Sequence, residues 1–275
     1  MAATENETLE VDLLLEAMYR KYGYDFRHYS REYVQRRLRQ HLAKSGVDSI
    51  AAMIPAVLHH PEFFEDLLFD LSITVTEMFR NPSFYLAVRK EIVPVLRTYP
   101  LLKIWLAGCA TGEEVYSLAI LLKEEGLFDR AQIYATDFNE KALAKAREGI
   151  YPLSRLKEYS ANYQEAGGGG SLSDYFSARY DSVYMHRDLL ENVLFASHNL
   201  VTDGVFGEMQ LICCRNVFIY FNRELQDRVA QLFVDSLCPG AFLALGPKES
   251  LVLSRANAAF EPLVAEEKIY RKKYE

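Results

Sequence analysis

Residues 101–120 read LLKIWLAGCATGEEVYSLAI, and the reading of this stretch decides the fold. A short apolar run at 104–107 breaks at Gly108-Cys109-Ala110-Thr111-Gly112. Beyond Glu113 and Glu114, the apolar positions Val115, Leu118, Ala119 and Leu122 return at helical spacing. A buried strand, a tight glycine turn and a helix form the opening unit of a nucleotide-type Rossmann fold. Glycine lets the backbone turn sharply and approach a ligand closely. The dinucleotide pattern G-x-G-x-x-G is absent, and the two glutamates would meet a pyrophosphate with like charge. The ligand to expect carries a positive group, such as an ammonium. A helix N-terminus favours acidic residues on its own account, so the rest of the chain has to decide.

The chain has 275 residues, half of them hydrophobic, enough for one large or two modest domains with real cores. A net charge of −7 gives no global pull toward nucleic acid or an acidic membrane. No apolar run nears the roughly 20 residues of a spanning helix. The N-terminus, MAATENETLE, is polar and unlike a signal peptide, so a cytoplasmic location is expected. Cys109, Cys213, Cys214 and Cys238 form no C-x-x-C pair, and the six histidines show no H-E-x-x-H spacing. Neither a metal nor a disulfide is expected.

Residues 9–70 read as helical, with Leu9, Leu13, Leu14, Ala17 and Met18 as an apolar stripe that Gly23 ends. SREYVQRRLRQHLAKS, residues 30–45, places Ser30 at an N-cap position. From Arg20 to Lys44, eight Lys/Arg stand against two acids. Charge so segregated suggests an acidic partner surface, and a solvated helix face explains it equally well. In LSITVTEMFRNPSFY, residues 71–85, Thr74, Thr76 and Arg80 make a polar wall before a helix restarts near Pro82.

QIYATDFNEKALAKAREG, residues 132–149, is a second strand and helix. Asp137 ends that strand, placed to accept ribose hydroxyls or, like Asn139, to cap the helix. GGGGS at 167–171 reads as a flexible connector, and the Tyr-rich residues after it as an inserted antiparallel element. VLFASHNL, residues 193–200, is a strand ending in Asn199. The apolar run 211–214 fits an interior strand covered on both faces. Asn216 and Tyr220 then fall at the C-terminal edge of the sheet, where open α/β sheets bind ligands. An amphipathic helix at 223–237, the strand AFLALG and a last strand near 267–272 complete the chain.

Seven motifs stand in order: T-x-T-x-x-F-R at 74–80, GCATGEEVYSLA at 108–119, ATD at 135–137, A-R-E-G-I-Y at 146–151, NL at 199–200, CRNVFIYF at 214–221 and PGAFLALG at 239–246. With the basic helical region ahead of them, the chain resembles the CheR-type chemotaxis receptor methyltransferases over roughly residues 10–272. These are S-adenosylmethionine enzymes that esterify receptor glutamates. The resemblance implies an α/β fold: a Rossmann-like S-adenosylmethionine-dependent methyltransferase domain with an inserted small antiparallel β-subdomain, preceded by an all-α N-terminal domain. The expected boundaries are a receptor-docking domain at 1–72, a linker and connecting helix at 73–100, and the methyltransferase domain at 101–275, with the insert at about 172–195.

The resemblance also implies roles. Thr76 and Arg80 contact the cofactor, Asp137 takes its ribose, and Asn199, Leu200, Arg215 and Asn216 line the adenosyl and methionyl pocket. Either glutamate of the turn at Gly108 takes the methionyl ammonium, with Glu114 preferred over Glu113. Tyr220 matches a tyrosine near the transferring methyl, and Arg80 is a candidate to neutralise the substrate carboxylate. Arg36, Arg37 and Arg39 face the acidic methylation helices of chemoreceptors. No base is needed, because a glutamate of pKa roughly 4.3 is ionised at neutral pH. The implied product is S-adenosylhomocysteine, with no metal, nucleic acid or membrane insertion.

Two departures from the family pattern are Thr74, where asparagine is frequent, and Pro247-Lys248, where histidine or serine is common. SARYDSVY, residues 177–184, lacks the glycine insertion of members that tether to a receptor's C-terminal pentapeptide, so tether independence is expected. The competing readings are a non-catalytic cofactor-binding relative and a nicotinamide-dependent oxidoreductase.

Overall fold

The computed structural model describes residues 5–72 and 76–274. They fall into two units: residues 1–73 with Ile219–Arg228, and residues 74–218 with 229–275. In the first unit the helices are α1 (Glu5–Tyr22), α2 (Arg31–Ser45), α3 (Met53–His59) and α4 (Pro61–Leu71). The buried face of α1 is Val11, Leu14, Leu15 and Met18, while Leu9 and Leu13 are 59% and 51% exposed. The expected stripe is thus displaced. The sequence holds enough leucines for two overlapping stripes, and the i, i+3, i+4, i+7 set is the one that packs. Ser30 stands at the N-cap of α2, yet its side chain makes no capping hydrogen bond.

The segment 219–228 joins this unit rather than the second one, contrary to the expected boundary. Phe221 forms an antiparallel bridge with Tyr29. The Ser30 N–H donates to the Tyr220 carbonyl at 2.7 Å, and the Asn222 N–H to the His28 carbonyl at 2.8 Å. These backbone bonds pair residues about 190 positions apart, so no local pattern announces them.

The second unit begins with α5 (Pro82–Ala87), which passes through a π-helical turn (Val88–Ile92) into α6 (Val93–Leu96). Then come β1 (Leu102–Ala107), α7 (Glu113–Glu124), β2 (Ala131–Asp137), α8 (Glu140–Glu148), β3 (Ile150–Pro152), α9 (Leu156–Glu165), β4 (Phe176–Arg179), β5 (Ser182–Met185), β6 (Val193–Ser197) and β7 (Met209–Cys214). Helix α10 (Arg223–Ser236) is divided between the units at Arg228, and β8 (Leu237–Leu245), β9 (Phe260–Val264) and β10 (Ile269–Lys272) close the chain.

The main sheet has the order β6-β2-β1-β7-β8-β10-β9. Its first five strands run parallel, and β10 and β9 add on antiparallel. Strand β1 shows why parallel central strands read as unbroken apolar runs. Ile104 and Leu106 pack into the core that contains α5, α6 and α7. Trp105 points to the other face, stacking on Phe206 at 5.0 Å and meeting Phe233 edge-on at 5.4 Å. Helix α7 is buried without interruption from Val115 to Leu122.

The small antiparallel sheet has the order β3-β5-β4. Its third strand, Ile150–Pro152, lies upstream of the expected insert, and Val193–Ser197 belongs to the main sheet. The glycine run is not a loose connector. The Gly168 N–H donates to the Tyr163 carbonyl, and a Cβ on Gly168 would run into the Tyr163 ring. Glycine is required there for a close approach, not for flexibility.

Candidate active site

Four parallel strands end at one edge of the second unit's sheet, and the residues that follow them are the predicted ones. Gly108 follows β1, Asp137 ends β2, Asn199 follows β6, and Arg215-Asn216 follow β7. Gly108 has φ +82°, and a Cβ there would lie 2.7 Å from Val217 Cγ2. Ala110 also has positive φ, at 49°. Asp137 holds this turn shut: its Oδ2 accepts the Ala110 N–H at 2.9 Å and its Oδ1 accepts the Asn139 N–H at 2.9 Å. Asn139, not Asp137, caps α8, accepting the Ala142 N–H at 3.1 Å. Burial pushes the Asp137 carboxyl above its ordinary range, against the pull of the backbone N–H groups. The Phe138 N–H also donates to this carboxylate, and two oxygens with four lone pairs leave acceptor capacity for a ribose hydroxyl.

The two glutamates differ sharply. Glu113 accepts Thr111 Oγ1–H at 2.6 Å and a hydrogen bond from Tyr159, and is 6% exposed. Glu114 accepts no hydrogen bond among the described residues and makes one ion pair, to Arg215 Nη1 at 3.6 Å. Burial raises its carboxyl above the ordinary range, with the Arg215 and Arg80 guanidinium groups opposing. Arg215 has a side chain only 1% exposed. Its Nη2 donates to the Arg80 carbonyl at 3.1 Å and to Asn81 Oδ1 at 3.0 Å, and it lies 4.0 Å over the Phe84 ring. Its Nε and Nη1 are buried with no hydrogen-bond partner among the described residues.

The connector ahead of α5 is strained on both sides of Arg80, with φ +52° at Phe79 and +57° at Asn81. Such backbone costs energy at a non-glycine residue and persists only where the surroundings impose it. Ser117 Oγ accepts the Phe79 N–H at 2.8 Å, and Arg215 holds Arg80 and Asn81. The Arg80 side chain makes no hydrogen bond or ion pair among the described residues, and Thr76 is half-buried. Thr74 lies outside the described residues.

At the other strand ends, Asn199 Oδ1 accepts the Val201 N–H at 3.0 Å and Leu200 is buried. Asn216 has φ +61°, and its N–H donates to Glu249 Oε2 at 3.0 Å. Glu249, 3% exposed, also accepts the Gly246 N–H and so fixes the loop after β8 against the loop after β7. Sequence reading missed Glu249 and Ser117. A serine inside an otherwise apolar helix was a usable signal for Ser117; Glu249 had none, since the partner that ties it to the next loop, Asn216, is remote in the chain.

In the first unit, Tyr220 packs its ring on Tyr33 at 4.7 Å. The Tyr33 hydroxyl donates to the Leu71 carbonyl, and burial raises it to about 12. The guanidinium groups of Arg36 and Arg37 lie 5.9 and 5.8 Å from the Tyr33 ring. Neither makes an ion pair among the described residues. Arg39 is committed to Glu7 through Nε and Nη2, at 2.6 and 2.9 Å. Arg31 pairs with Asp12, Arg27 with Glu16 and Asp25, and Lys44 with Asp70. Most of the basic run is therefore neutralised locally; Lys21, Arg36 and Arg37 make no ion pair among the described residues, and Arg37 Nη1 donates to Gln40 Oε1 at 3.2 Å.

Residues 74–269 match the family described as CheR methyltransferase, SAM binding domain, and residues 9–72 match CheR methyltransferase, all-alpha domain. The chain belongs to the CheR methyltransferase family. Cher3 of Pseudomonas putida, whose name assigns it only provisionally to the methyltransferases, is 50% identical over 99% of this chain and 100% of its own length. Two proteins named as chemotaxis methyltransferases match at lower identity. The one from Pseudomonas aeruginosa is 30% identical over 86% of this chain and 85% of its own length, and the one from Salmonella typhimurium 29% over 86% and 82%.

The CheR chain is thus an S-adenosylmethionine-dependent methyltransferase. Its residues suit that cofactor. A methionyl group carries an ammonium and a carboxylate, and the half-buried Glu114 carboxylate stands beside Arg215 nitrogens that make no hydrogen bond among the described residues. No helix among the described residues is long and apolar enough to cross a membrane.

Proposed function

We propose that this CheR protein methylates glutamate side chains of chemoreceptor methylation helices in chemosensory adaptation, without a receptor C-terminal pentapeptide tether. The observation that carries the cofactor half of this reading is the pair of the half-buried Glu114 and the buried Arg215, 3.6 Å apart and short of hydrogen bonds. A buried polar group left unsatisfied costs roughly 1–3 kcal/mol, which a zwitterionic ligand end would relieve. Glu114 receives the ammonium and Arg215 the carboxylate. Asp137 accepts the ribose hydroxyls, Asn199, Leu200 and Asn216 shape the adenosyl pocket, and Thr76 completes its wall.

When bound, S-adenosylmethionine supplies a methyl group already activated on a sulfonium. The chain's part is then positional. Arg80, uncommitted among the described residues, screens the incoming carboxylate. Tyr220 is assigned the place beside the transferring methyl, its ring held by Tyr33. Arg36 and Arg37 are assigned to acidic receptor helices, for which guanidinium groups without a carboxylate partner are suited. Arg39 is less available, being held by Glu7.

Tether independence is supported by the β4–β5 turn, which is only Tyr180-Asp181 between Arg179 and Ser182. The test is transfer of labelled methyl from S-adenosylmethionine to soluble chemoreceptor cytoplasmic fragments, scored as methanol released by base. Label on receptors that lack the pentapeptide is expected. A protein that binds S-adenosylhomocysteine but labels no receptor would instead be a non-catalytic cofactor-binding relative.

A further inference from the structure

The connector 76–81 is held by helix α9 as well as by Ser117 and Arg215. Helix α9 and the residue ahead of it meet the connector with three side chains. Asn162 Nδ2 donates to the Met78 carbonyl at 3.1 Å, immediately before the strained Phe79. The Tyr163 ring meets the Phe79 ring edge-on at 5.3 Å. Arg155, just ahead of α9, pairs with Glu77 at 3.6 Å and with Glu158 at 3.1 Å. The far end of α9 is tied down in turn: Arg89 Nε donates to the Ala166 carbonyl at 3.1 Å, and the Tyr163 hydroxyl donates to Glu124.

From these contacts we infer that α9 is a brace for the cofactor-contacting connector, with Asn162 as its principal positioning residue. A strained segment stays in place only while its surroundings hold it. Ser117 and Arg215 hold residues 79–81, and both stand in or beside the cofactor site. Asn162 holds residue 78 from α9. Its hydrogen bond is half-buried and neutral, so it resists screening, whereas the Arg155–Glu77 pair, with side chains 38% and 26% exposed, contributes little. Because α9 leads through residues 167–171 into β4, the small sheet and the connector share one support.

The inference rests on the cofactor reading above, so its test separates the two. In the full chain, calorimetry with S-adenosylhomocysteine is expected to show roughly three- to tenfold weaker binding for Asn162→Ala, the loss of one neutral hydrogen bond. Asn162→Asp, which sets a carboxylate against a carbonyl, is expected to be weaker still, and Lys157→Ala on the exposed face of α9 unchanged. The ligand-free Tm of Asn162→Ala should stay within a few degrees of the wild type. Hydrogen exchange of the ligand-free proteins should show faster exchange confined to residues 76–81 in both Asn162 variants. Unchanged affinity together with unchanged exchange would overturn the brace. No binding by the wild type would overturn the cofactor reading instead, and the exchange comparison would still decide the brace.

Discussion

Glu113 and Glu114 are adjacent and alike in chemistry, one buried and one half-buried, and they are not equivalent. Glu113 is satisfied by Thr111 and Tyr159. Glu114 has only Arg215. Replacing Glu114 by Gln should weaken S-adenosylhomocysteine binding on the order of ten- to a hundredfold, the value of a charge-assisted bond. Glu113→Gln should change it less than about threefold. Calorimetry on the two variants checks the choice, and the reverse ranking would exchange their roles.

The pH dependence follows with a definite sign. Burial raises the Glu114 carboxyl, and binding an ammonium needs the ionised form. Affinity is therefore full above that raised pKa and lost as pH falls through it, at a higher pH than for an ordinary glutamate. Titrations downward from neutral pH should show this loss in the wild type before an ordinary glutamate would protonate, and a much flatter profile for Glu114→Gln. Among residues off the site, Glu249 illustrates a limit of sequence reading. Its identity is plain in the chain and its bond to Gly246 is local, but its bond to Asn216 exists only once β7 and β8 lie side by side.

At the scale of elements, alternation and helical spacing located β1, α7, β2, α8, β7 and α10, because their burial is decided by short-range periodicity. The glycine run at 167–170 went the other way. Glycine there supplies the absence of a Cβ, which no local pattern distinguishes from a supply of freedom. Gly168→Ala should cost roughly 1–3 kcal/mol through overlap with the fully buried Tyr163 ring. Gly169→Ala, with nothing within 4 Å and no positive φ, should be neutral or slightly stabilising. Thermal melts of both variants check the pair, and equal Tm values would restore the flexible-connector reading. The small sheet was placed too far downstream because β3 has three residues and pairs across an intervening helix with β5.

For the whole molecule, the charge of the first unit matters most. The chain totals −7, and the run from Arg20 to Lys44 holds eight basic residues. Acids of α1 and α4 take up much of that charge: Glu7, Asp12, Glu16 and Asp70 each hold a partner in the run. Charge reversal at Arg36 or Arg37 should therefore lower kcat/KM for a receptor fragment while leaving S-adenosylhomocysteine affinity intact. Arg39→Glu should act differently, lowering Tm by facing Glu7 with like charge. Methyl-transfer kinetics beside thermal melts separate the two effects. A loss of activity at Arg39 without loss of stability would return that residue to the docking face.

What the sequence by itself determined is the order of strands, turns and helices in the second unit and the identity of the residues at the strand ends. Those depend on periodicity, on glycine where a turn needs positive φ, and on motifs a few residues long. Only the tertiary structure decided which of two glutamates stands uncommitted, which arginines are spent, and that Arg215 and Asn162 hold the connector around Arg80. Each of those depends on a partner brought near by sheet pairing or helix packing, and the free energy of a charge or a hydrogen bond is set by its neighbours in space, which the order of residues along the chain does not record.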